Sequence, residues 1–303
     1  MAPLLHSVRD EQFEARAADT LSNRWVKAAV EAARGRDHGF QRSPFAAEAA
    51  RLERERGAAS RAGFLRQALR GVIAESRPQI ASLPVPDEVK ANFRTEFERI
   101  EKETSTATDE HYDLERHGMR CDFRIAGFGR IPMRFGHIEV GGVPRRHLIR
   151  GGVAQALSLG SLLASVGGHA PFYVSHFTHT ISPLAFLLLA SPERVVEGLR
   201  TVGECLKLNP HIRGLLATSW WYDPQLTQVA PHLAYLRETS VAHGALLVRA
   251  GRTDGAVKMA LANSPQRQRL YDEGRYFPES YALVWSRQSL LKLAASTPSP
   301  ATR

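Results

Sequence analysis

His176 and His179 stand three positions apart in the run His176-Phe177-Thr178-His179, with His137, His147 and His169 upstream. Imidazole gains and loses a proton near neutral pH, so such a cluster suits a general base or a metal site. The spacing gives metal binding no further support. There is no His-Glu-x-x-His, no Cys-x-x-Cys, and Cys121 and Cys205 are far apart. No metal is favoured, and a metal enzyme using His176 or His179 with His137, His147 and a carboxylate stands as the alternative. In a regular strand over 172–180, His176 and His179 project to opposite faces, so one of them enters a site. Ser161 and Ser219 lack the Gly-x-Ser-x-Gly elbow of a serine nucleophile. Cys121 and Cys205, set among apolar neighbours, read as core packing.

Anion chemistry is concentrated elsewhere. The stretch Arg116–Gly152 holds eight arginines against Asp122 and Glu139, which is most of the excess of a chain whose formal charge is +9. Its densest part, Arg145-Arg146-His147-Leu148-Ile149-Arg150-Gly151-Gly152, leads from an expected strand into an expected helix. Unsatisfied N–H groups at a helix start, a Gly-rich backbone and guanidinium groups all favour a phosphate there. The other phosphate patterns fail: Gly127-Phe128-Gly129-Arg130-Ile131-Pro132 has proline where a dinucleotide fingerprint needs glycine, and no Walker-type lysine occurs. At the end of a later expected strand, Trp220, Trp221, Tyr222 and Asp223 could line a pocket with one carboxylate. The same pattern also fits aromatic core closure before an Asp-Pro turn.

These residues need a scaffold, and 303 residues suffice for one large domain or two ordinary ones. Hydrophobic residues are 43% and charged residues 23%, which excludes wholesale disorder and coiled-coil composition. Two cysteines, and the lack of a charged-then-apolar leader over Met1–Leu21, imply the reducing cytoplasm. No apolar run reaches membrane-spanning length. The nearest, Ile181–Ala190, is too short and carries Pro183.

Ala-, Arg- and Glu-rich sequence over 1–115 predicts a helical region: helices over 10–33, over 44–74 with a break near Gly57 or Gly63, and from Asp87. Residues 116–293 predict a mixed α/β domain, with strands beginning near Cys121 and then alternating with helices, and 294–303 a flexible tail. The fold class is therefore α/β, a helical region followed by a mixed α/β domain.

The ending Leu270-Tyr271-x-x-Gly274-x-Tyr276, preceded by Asn263, resembles the Asn…Leu-Tyr…Gly-Phe segment of GNAT acyltransferases. Ser219-Trp220-x-x-Asp223-Pro224-x-Leu226 is similar to a Ser-Trp-Leu-Leu-Asp-Pro-x-Leu run in GNAT-like proteins carrying an additional domain. The likeness covers about 122–293. Gly152 and Ala154 fit the last two positions of the family's pyrophosphate loop, whereas Ile149 occupies its first and Arg150 is displaced by one.

The resemblance implies transfer of an acyl group from acyl-CoA or acetyl-CoA to a small amine. Arg145, Arg146, Arg150, Gly151 and Gly152 would then hold the pyrophosphate, and Tyr271 would protonate the departing thiolate. His176, His179 or Asp223 would act as base, and Trp220, Trp221 and Tyr222 would line the pocket. The N-terminal helices would shape the acceptor site or a homodimer contact. A different class is a non-catalytic basic protein that binds nucleic acid, although no recognisable nucleic-acid-binding motif accompanies the charge.

Overall fold

The computed structural model describes residues 23–134, 136–177 and 191–296. The chain divides into two compact units, 1–83 with 87–132 and 84–86 with 133–303. Among the described residues no helix is long and apolar enough to cross a membrane.

The first unit is helical: α1 (23–34), α2 (Asp37–Gln41), α3 (Pro44–Arg56), α4 (Ala58–Ser76), α5 (Asp87–Thr106) and α6 (His117–Ala126). Ser43 caps α3 by accepting from the N–H of Ala46, with Pro44 in the first helical turn. Gly57, at φ +85°, separates α3 from α4, and Val89, Phe93, Phe97 and Ile100 line the buried face of α5. Residues 121–126 were expected to begin the strands, yet they form α6. Apolar residues two apart fit a half-buried strand, but here both sides of the segment are buried, from Cys121 through Ala126, so alternation does not report a sheet. The first unit therefore extends past the expected 115/116 junction to Pro132. The Gly127–Gly129 turn is structural. A Cβ on Gly129 would lie 1.8 Å from the carbonyl oxygen of Ala33, while Phe128 packs edge-on against Phe93 at 5.3 Å.

The second unit carries a mixed sheet. Its strands are β1 (Ile131–Met133), in which the division between units falls, β2 (Gly136–Gly141), β3 (Phe172–Phe177), β4 (Gly214–Ser219), β5 (Leu246–Gly251) and β6 (Ser280–Ser286), in the order β1-β2-β3-β4-β6-β5. The β3–β4 pair is parallel, whereas β2–β3, β4–β6 and β5–β6 are antiparallel. A short helix α7 (Arg146–Ile149) and α8 (Gly152–Ser165) cover one face, where Leu159 and Leu163 pack on Phe172, Leu216, Val248 and Val284. Helix α14 (Arg287–Ala295) packs against β4 and β6, and α9 (Pro192–Leu208) packs along α14. Between these elements run α10 (Leu226–Val229), α11 (Tyr235–Ala242), α12 (Asp254–Leu261) and α13 (Pro265–Asp272). Ser264-Pro265 interrupts the helix expected over 255–273, with Ser264 capping α13. Helix α14 continues to Ala295, two residues into the tail expected over 294–303.

Candidate functional site

The sheet is not paired uniformly along its length. Strands β3 and β4 are in register over Tyr173–Ser175 and Leu215–Ala217. Beyond that point β3 stays with β2 through Phe177, and β4 stays with β6 through Ser219. Among the described residues the β3–β4 pairing thus ends at Ser175 and Ala217, toward the carboxyl ends of the two strands, which is where open α/β sheets place ligands. At their other end pairing continues past the strands, with the N–H of Arg213 donating to the carbonyl of Pro171 at 2.9 Å.

His176 sits at this end. Its register partner on β2 is His137, and Glu139 follows on the same face two residues later. The imidazoles of His137 and His176 stack with centroids 5.2 Å apart and planes 18° from parallel. His176 Nε2 lies 3.3 Å from Glu139 Oε1, an ion-pair distance without the alignment of a hydrogen bond. His137 is buried, while His176 is about one-third exposed. Thr218, on β4, is exposed. A ring that reaches solvent, backed by a second imidazole and a carboxylate, can accept a proton and have the resulting charge neutralised by Glu139.

His147 does not join this group. It is buried on α7, and burial, helped by Arg146 and Arg150, pushes its pKa down to about 4. His179 lies outside the described residues. Of the described histidines named for a metal, His137 and His176 are brought together and His147 is apart from them. Among the described residues only Glu103, His111 and Asp122, in the helical unit, bring three ligand atoms within 4.8 Å of one another. Arg99 already bridges two of them, at 2.7 Å to Glu103 and 2.5 Å to Asp122.

The arginines of 116–152 do not form one surface. Arg124 and Arg130 are buried in the helical unit, and Arg134 pairs with Glu197 at 2.6 Å. Sequence adjacency misled because the window spans a buried helix, two strands and a surface helix. Arg145, Arg146 and Arg150 remain exposed beside the start of α8. Arg150 Nη1 donates to the carbonyl of Ala250 on β5 at 2.6 Å, which fixes its guanidinium at the sheet edge and leaves its other N–H groups to a ligand. Gly152, at φ +78°, has open space where a Cβ would stand.

Tyr271 lies at this same edge. Its hydroxyl accepts from Arg252 Nη2 at 2.7 Å, just past the end of β5. Three strand spacings separate β3 from β5, about 14 Å in all, so the structure does not bring Tyr271 to His176. Asp223 is buried after β4, and burial raises its pKa. Its Oδ1 accepts from the N–H of Gln225 at 2.9 Å and its Oδ2 from that of Glu279 at 3.0 Å. Both oxygens anchor backbone, so Asp223 fixes a turn rather than meeting a substrate. Trp220 and Tyr222 are buried, Trp220 in a cluster with Leu226, Leu233 and Tyr276, and Trp221 packs against it half-buried. These rings close a core rather than line a pocket.

Glu139 was not singled out in the sequence. Its signal was the His137-x-Glu139 spacing, which puts both side chains on one face of a strand but acquires meaning only from the pairing with His176. Comparison of the chain with family models, curated proteins and solved structures returned no match.

Proposed function

We propose that the chain transfers an acyl group from an acyl-CoA or acetyl-CoA thioester to a small amine, with His176 as general base. The observation that carries this reading is the end of the β3–β4 pairing at Ser175 and Ala217, with the partly exposed His176 next along β3 and Glu139 beside it. Strand edges beyond the end of a ladder offer N–H and C=O groups to an extended, amide-bearing arm, as in strand addition. The exposed arginines Arg145, Arg146 and Arg150 and the N-terminus of α8 suit the phosphate groups of such a donor. The about 14 Å between that edge and β3 is a length an extended arm can bridge.

In this reading His176 removes a proton from the ammonium form of the acceptor, and Glu139 neutralises the imidazolium. The free amine attacks the thioester carbonyl, and the tetrahedral intermediate collapses by breaking the C–S bond. The thiolate leaves and takes up, through water, the proton that the adduct's nitrogen loses as the neutral amide forms. Tyr271, at the anion end, hydrogen-bonds Arg252 rather than reaching the sulfur.

The test is thiol release from a panel of acyl-CoA donors in the presence of a mixed pool of small primary amines. His176→Gln is expected to lower turnover roughly a hundredfold, within the usual range for general base catalysis, with donor affinity and melting temperature retained. Absence of amine-dependent thiol release with every donor, or a His176→Gln rate equal to the parent's, would overturn the proposal.

A further inference from the structure

A cavity of about 690 Å³ opens at the other end of the parallel strands. Ser165 and Val166 line it from the end of α8, Arg213 from the approach to β4, and Ser286, Arg287 and Lys292 from the end of β6 and from α14. No carboxylate is among its lining residues. The volume is that of a small-molecule site.

Two of the three cations are held in place. Arg213 Nη1 donates to the carbonyl of Val166 at 3.0 Å, and Arg287 Nη1 donates to those of Asn209 at 2.9 Å and Ile212 at 3.1 Å. Each guanidinium has five N–H donors, so most of each fork remains for a ligand. Several other arginines meet acids: Arg99 pairs with Glu96, Glu103 and Asp122, Arg134 with Glu197, and Arg249 with Glu279. Among the described residues, Arg213, Arg287 and Lys292 have no ion-pair partner. Three like charges around one concavity repel one another until an anion enters, and fixed guanidinium forks match phosphate oxygens.

We propose that this cavity binds a small phosphate-bearing anion, at a site separate from His176. It lies at the amino ends of β3 and β4, about 16 Å from the histidine end by the rise of a strand. It does not depend on the acyl-transfer reading.

The probe is inorganic pyrophosphate, titrated calorimetrically into the full chain at low salt. An Arg150→Gln background separates this site from the start of α8. Lys292→Glu, which breaks no hydrogen bond or ion pair among the described residues, is expected to weaken binding roughly tenfold with the melting temperature held, a change of the size charge reversal beside a bound anion produces. Arg213→Gln is expected to weaken it severalfold. If that variant fails to fold, Lys292→Glu decides alone. No binding at millimolar pyrophosphate, unchanged affinity in Lys292→Glu, or displacement by a single-stranded oligonucleotide at far lower concentration would each overturn the proposal.

Discussion

In the helical unit, charged groups close on one another. Arg99 reaches Glu96, Glu103 and Asp122, and Asp122 is buried beneath that guanidinium's ion pairs. At the carboxyl end of β3, His176 and Glu139 also pair, but the ring remains partly exposed beside strands that have stopped pairing with each other. Both regions hold a titratable cluster, and both would look functional from composition alone. What distinguishes them is whether the partner is supplied by the fold on every side. A closed cluster answers to stability, whereas an open one is available to chemistry.

The largest expected effect comes from breaking the closed cluster. Burial raises the Asp122 pKa to about 6 even with Arg99 opposing it. Arg99→Met leaves that carboxylate buried without its cation, which costs about 3–5 kcal/mol at pH 7.5. The sign of the pH dependence follows from the raised folded-state pKa. Removing Arg99 raises that carboxyl further, so the variant's penalty relative to the parent shrinks as pH falls toward about 6 and levels off below it, where both folded proteins hold the proton. Urea unfolding of parent and variant at pH 7.5 and 5 reads both quantities. A loss below about 1 kcal/mol at pH 7.5 would remove the distinction between the two clusters.

A buried histidine provides a smaller effect of opposite sign. His147 is pushed down to about 4 from its ordinary 6.5. The folded state therefore resists its protonation, and stability present above about pH 6.5 is lost as pH falls toward 4, by at most about 3 kcal/mol. His147→Leu is expected to flatten that decline relative to the parent. Denaturation midpoints at pH 7.5 and 4.5 check it, and an equal decline in the two proteins would show that the acid sensitivity arises elsewhere.

The long helices were legible because their patterns are local: Asp87 begins α5, Ser43-Pro44 begins α3, and Gly57 divides it from α4. The alternation from 152 to 286 was legible for the same reason. What sequence periodicity cannot carry is burial on all sides, which hid α6, or pairing across strands, which alone joins His176 to Glu139. The arginine-rich window failed as a surface because residues near in sequence belong to two units with different exposure. Trp220 and Tyr222 fitted both a pocket and a core, and only packing against Leu226 and Tyr276 assigned Trp220 to the second. His176 was legible as a residue type, but its placement at the end of the β3–β4 pairing was not.

Tyr271 gives the smallest and sharpest test of the comparison, since family likeness and geometry assign it different work. The resemblance makes it the acid that protonates a leaving thiolate, and loss of such an acid lowers turnover roughly a hundredfold. The structure puts its hydroxyl 2.7 Å from Arg252 Nη2, where it accepts, and its ring near Phe277, with centroids 6.3 Å apart. The hydroxyl's partner here is a side chain of the fold, Arg252, rather than a ligand. Tyr271→Phe keeps the ring and deletes one partly exposed hydrogen bond, worth about 0.5–1.5 kcal/mol. The expected result is a turnover change of less than about fivefold, with any larger effect confined to donor affinity through a loosened Arg252. Parallel measurement of kcat and KM on the folded variant separates these outcomes. A hundredfold fall in kcat with donor affinity intact would place the tyrosine at the sulfur, and would mean that the end of the β3–β4 pairing and the β5 edge form one reaction centre rather than a base site and an anion site.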